Sequence, residues 1–225
     1  MSPRLLLADP DSAADALTFA GRTARFTDEG VRLQAAGGVL AMTAAPLAPR
    51  GLGDATPTVL AMRTLAADPE LVCDLVVDAT ALSAAPDEPS AIVLPETALS
   101  PSWAGIAPPR TGWAPRGEVE ASVLAAKAQG GIARVAETVP TDAGEDVVRA
   151  VRAAVWGAPD AELEDLPLGA AFAALSMGFI SGGESARLFV SGPWTRVSLQ
   201  RGHVLVRGPV AVGLTPVRRT GPASS

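Results

Sequence analysis

The segment Trp194–Arg207, WTRVSLQRGHVLVR, gathers more chemically capable side chains than any other part of this chain. Reading Arg201-Gly202 as a two-residue turn makes it a β-hairpin. In that register Val197 faces Val206 and Leu199 faces Val204 on an apolar side. On the other side Gln200 meets His203, Ser198 meets Leu205, and Arg196 meets Arg207, with Trp194 at the open end. Directly opposed like charges destabilise a sheet. An anion, a carboxylate from elsewhere, or splaying into water would offset the repulsion. Guanidinium forks suit carboxylate and phosphate, and a histidine titrates near neutrality. The candidate ligand-binding set is therefore Arg196, Arg207, Trp194 and Ser198, with His203 as candidate catalytic acid or base. Three loop arginines, Arg50, Arg110 and Arg116, join the set if they converge on this face. The competing reading is a solvated strand pair whose arginines meet the chain's many acids at little energetic consequence.

Other routes to chemistry are thin. One histidine and one cysteine exclude a His- or Cys-rich metal centre and an internal disulfide. Alternation places Cys73 on the apolar side of its strand, as a buried thiol. Gly51-Leu52-Gly53 lacks the third glycine of a dinucleotide fingerprint. Gly178-Phe179-Ile180-Ser181-Gly182 is near, but not, a nucleophile elbow. No cofactor motif is present, so no cofactor is expected and no metal is assigned. The net charge is −6 and the sequence pI about 4.8. That balance argues against nucleic-acid partners, because phosphate contacts need a basic field. Lys127 is the single lysine among 18 basic residues. GC-rich coding, which favours Ala, Gly, Pro and Arg, accounts for that bias.

The elements that would hold these residues follow from patterning. Hydrophobic residues make up 48% of 225, enough for a substantial core. The expected fold is α+β: an antiparallel β-meander in the N-terminal half, helices in the second half around a buried helix over 166–180, and the C-terminal hairpin. Asp9-Pro10 starts the first helix as N-cap and first helical residue. Val31, Leu33 and Ala35 alternate into a strand that turns at Gly37-Gly38 and returns over Val39–Thr43. Thr23–Phe26 is read as a further strand. Thr58–Leu65 and Leu71–Ala79 are read as a strand pair. A helix over Glu118–Gln129 is expected to end at Gly130-Gly131. The next, Gly144–Trp156, is expected to take its cap from Thr141 or Asp142, with Trp156 on the side away from its valine stripe.

The central helix carries Leu168, Phe172, Leu175 and Phe179 on one face, and Ala170, Ala174 and Gly178 on another. It is too short to cross a bilayer, which takes about 20 apolar residues. The loop Pro95–Gly117 holds Trp103 and Trp113, and long loops of this kind are often functional. The chain reads as a single domain over 1–216, with a possible subdivision near 95–117 and a flexible tail over 217–225. The N-terminus lacks a long apolar stretch, so a cytoplasmic protein with no membrane partner is expected. Two functions remain open. One is a binding or scaffolding protein that self-associates, with tryptophans as anchors. The other is an enzyme acting on a small carboxylate- or phosphate-bearing metabolite, holding that anionic ligand on the arginines.

Overall fold

The computed structural model describes residues 3–51 and 53–208. Thirteen strands and four α-helices follow in chain order. They are β1 (Arg4–Leu6), α1 (Pro10–Thr23), β2 (Val31–Ala36), β3 (Val39–Leu47), β4 (Thr58–Ala66), β5 (Cys73–Val77), β6 (Ser83–Ala84) and β7 (Ala91–Val93). The second half adds β8 (Ala114–Glu120), α2 (Ala121–Thr138), α3 (Glu145–Gly157), β9 (Pro159–Asp160), β10 (Leu166–Pro167) and α4 (Leu168–Ser176). β11 (Ser185–Ser191), β12 (Trp194–Leu199) and β13 (Gly202–Arg207) close the chain. The fold is α+β, as expected.

Eight strands form one sheet in the order β5-β2-β3-β4-β13-β12-β11-β8. The order exposes a repeated plan. A strand, a helical segment and a three-stranded meander occur twice, as β1-α1-β2-β3-β4 and as β8-α2-α3-α4-β11-β12-β13. The two meanders meet through their last strands, β4 and β13, which pair antiparallel from His203↔Met62 to Arg207↔Thr58. A smaller sheet, β1-β7-β6, and the short pair β9–β10 complete the set.

Alternation divides the large sheet into two faces. The inner face carries Val31, Leu33, Leu40, Met42, Val59, Ala61, Leu188, Val197 and Val204, all buried in the main core with the helices. α1 begins as predicted, with Asp9 accepting from the Ser12 N–H and Pro10 in the first turn. α4 is buried almost throughout, but it spans nine residues rather than 166–180. Leu166-Pro167 pairs with β9. Gly178 ends the helix with φ of 64°, a left-handed turn that suits glycine. Arg22 packs against that glycine and donates to the Met177 carbonyl at 2.5 Å.

Several expected elements differ. Thr23–Phe26 is the end of α1 and a following turn, closed by Phe26 N–H to the Thr23 carbonyl at 3.1 Å. β4 and β5 do not pair with each other. The connection crosses the Gly37-Gly38 turn, where the Ala67 N–H donates to the Gly38 carbonyl at 2.9 Å, and β5 docks on β2. Glu118–Glu120 is strand rather than helix. Gly130-Gly131 does not stop α2. Gly131 lies where the Trp156 ring packs, and a side chain there would overlap it. Trp156 is accordingly buried, stacked on Phe172 at 4.5 Å, not on the outward side of α3. That helix is capped by Gly144, not by Thr141 or Asp142.

The expected flexible tail lies outside the described residues. No helix among them is long and apolar enough to cross a membrane.

Candidate functional site

The C-terminal hairpin exists, but its turn is Gln200-Arg201. The register shifts accordingly: Trp194↔Arg207, Arg196↔Leu205, Val197↔Val204 and Ser198↔His203. Arg196 and Arg207 are not opposed, so the like-charge pair drops out. Glu184 fixes this turn. Its carboxylate accepts from the Gln200 N–H at 2.9 Å and from the Ser181 N–H and hydroxyl at 3.0 and 2.8 Å. Burial disfavours that charge, yet the three donors and nearby Arg201 hold the Glu184 carboxyl below its usual range. The sequence offered no signal for this long-range cap. Because the slip is by two residues, side-chain facing is preserved. Trp194, Arg196, Ser198, His203, Leu205 and Arg207 all lie on the outer face.

That outer face is covered by a strap over 99–113. Trp103 is 1% exposed and forms a second core with Leu60, Val76, Trp194 and Leu205. Arg32 ties the strap down. It forms a two-pronged pair with Asp74 at 2.8 and 2.9 Å and donates to the Ala104 carbonyl at 2.8 Å. These contacts hold the Asp74 carboxyl below its usual range, its hydrogen bond with Arg32 being the largest cause.

Between strap and sheet lies a groove of about 610 Å³, lined among others by Arg32, Arg110, Trp103, Trp113 and Arg196, over Leu60, Met62 and Leu205. The Arg196 guanidinium stacks between two rings, 4.7 Å from Trp113 and 4.8 Å from Phe189. Arg187 also lies over Phe189, 5.8 Å from its centroid. Burial, and then the charge of Arg187, lower the Arg196 pKa. Two donors here, Trp103 Nε1 and Arg196 Nε, are buried with no hydrogen-bond partner among the described residues. An unpaired buried donor costs about 1–3 kcal/mol. Acids on this face are Asp74, engaged by Arg32, Glu118, which faces Arg187 across the β8–β11 pair, and Glu120, which faces Ser185 there.

His203 Nδ1 lies 3.1 Å from the Ser198 hydroxyl. Burial, then Arg196, push its pKa down. The loop arginines do not all converge. Arg110 lines the groove with Arg196. Arg50 lies 3.6 Å from Glu29 in a separate cleft beside α3, and Arg116 donates to the Glu164 carbonyl at 2.9 Å. Reasoning from the sequence missed Arg32, Arg187 and Phe189. Alternation along β2 and β11 was the available signal, but it cannot tell which strands become neighbours. Cys73 lies on the inner side as expected, half-buried, its thiol raised chiefly by burial.

Residues 1–105 match a family described as a domain of unknown function, DUF8010, and residues 108–211 match another, DUF8185. No well-characterised protein matches by sequence. Among solved structures, the chain is similar to a DNA polymerase sliding clamp from Caulobacter crescentus, at 14% identity and a TM-score of 0.46 over 100% of this chain and 70% of that one. It is also similar to a putative DNA polymerase III beta subunit from Eubacterium rectale, at 7% identity and a TM-score of 0.48, over 92% and 65%. The DNA polymerase III beta subunit of Thermotoga maritima matches at 13% and 0.46, over 93% and 65%.

These neighbours overturn the exclusion of nucleic acid. They likewise stand against the function read from the sequence, a self-associating binding or scaffolding protein or, as the alternative, an enzyme acting on a small carboxylate- or phosphate-bearing metabolite. The physical weakness of the exclusion is that net charge sums the whole chain. A partner meets a local field, and the outer face is richer in arginine than in acid.

Proposed function

We propose that this chain is a DNA-associated scaffold of the cytoplasm that binds through the outer face of its large sheet. The observation that supports the reading is the alternation of guanidinium and aromatic groups across that face: Arg187, Phe189, Arg196 and Trp113 in sequence of contact. Arg110 lines the adjoining groove. Arginines meet phosphates, and rings with guanidinium planes meet bases. An acidic protein binding in this way does so weakly and with strong salt dependence. Fluorescence anisotropy of labelled DNA at low ionic strength tests the proposal. Binding is expected, with the double substitution Arg187→Gln and Arg196→Gln weakening it at least about tenfold. Absence of binding to both single- and double-stranded DNA, or equal binding by the variant, contradicts it.

A further inference from the structure

We infer that the groove beneath the strap receives an unstacked nucleic-acid base, so that the chain prefers single-stranded to duplex DNA; this rests on the DNA-associated reading above. The groove has three properties that a phosphate backbone alone would not use.

Its floor, Leu60, Met62 and Leu205, is apolar. A charged backbone gains nothing there, whereas the flat face of a base gains by leaving water. Two residues that line it, Trp103 and Arg196, each keep a buried N–H donor, Nε1 and Nε, with no partner among the described residues, which a small side-chain shift would bring to an entering group. A base supplies ring nitrogens and carbonyl oxygens that accept hydrogen bonds from such donors. Beside it, the stack of Phe189, Arg196 and Trp113 is continued by one more planar group. Stacking of this kind is sequence-tolerant, because every base has a π-face.

The division of charge agrees. Arg32 is spent on Asp74 and the strap. Arg110 and Arg187 are exposed, the first near Asp74 and the second facing Glu118, and both can exchange these acids for phosphates of a strand lying across the groove. The cavity volume of about 610 Å³ lies within the range typical of ligand pockets. In a duplex the base faces are stacked inward, and extruding one costs unstacking and unpairing energy. Single strands do not bear that cost.

The test compares a fluorescein-labelled oligo-dT single strand with a duplex of equal length, using the full chain. We expect the single strand to bind about tenfold or more tighter, with quenching of tryptophan fluorescence. Trp113→Ala should lower single-strand affinity about tenfold and duplex affinity clearly less, so that the preference for the single strand falls, while Trp113→Phe, which keeps a ring, should largely restore it. Equal or tighter duplex binding, or a Trp113→Ala variant that binds the single strand like the wild type, overturns the inference and leaves DNA association standing. Failure of both DNA forms to bind overturns the inference and the DNA reading together.

Discussion

At the residue scale, the positions that matter are those where one atom decides between two packings. Gly131 sits inside α2, where alanine would ordinarily stabilise by about 1 kcal/mol. Here the added methyl would overlap the Trp156 ring, which is 3% exposed and has nowhere to move. Overpacking costs about 1–3 kcal/mol, so Gly131→Ala should be net destabilising, by about 1–2 kcal/mol in urea unfolding. His203 supplies a pH signature. Burial and Arg196 depress its pKa in the fold, whereas the unfolded chain protonates it near pH 6.5. Its contribution is present above pH 6.5 and is lost as pH falls from there toward the folded value. The urea midpoint should therefore drop as pH falls below about 6.5, and His203→Gln should flatten that segment; an unchanged slope would refute the assignment. The candidate set was partly legible at this scale. Arg196 and Arg110 share a groove because strand alternation had put Arg196 on the correct face. Arg207, Arg50 and Arg116 were named for their type, and type says nothing of distance across a fold.

At the element scale, the strap over 99–113 is the segment on which the outer face depends. It lacks periodicity, so the sequence showed only a long loop with two tryptophans. Its docking comes from one buried ring, Trp103, and one guanidinium, Arg32. Trp103→Ala should cost about 3 kcal/mol and open the groove. Tryptophan emission would shift to the red, and proteolysis within the strap would accelerate. A variant as stable and as resistant as the wild type would show that the strap does not depend on that anchor. Elements defined by local rules were readable beforehand. The Asp9-Pro10 start of α1, the Gly37-Gly38 turn and β12 are examples. Where a distant partner decided the outcome, local rules failed. Gly130-Gly131 looked like a stop because glycine usually is one, and only Trp156, some 25 positions away in sequence, makes it a packing site. The hairpin turn moved because Glu184 caps Gln200.

At the scale of the whole molecule, the meanders of two strand–helix–meander units share one sheet. Helices cover its inner face, and the strap covers part of its outer face. The repeat was invisible in the sequence, since the units share a plan rather than residues, and their helical segments differ in number. The acidic total of −6 likewise hid an outer face where arginines alternate with rings. The central claim is that this face meets DNA, and the salt dependence of binding tests it most directly. Each arginine that contacts a phosphate releases counterions and steepens the fall of log K with log salt by about one. For single-stranded DNA, Arg187→Gln with Arg196→Gln should lower both the affinity and the magnitude of the slope, the latter by about one, from Arg187. An unchanged slope in the double variant, or no binding by the wild type even at low salt, would contradict it.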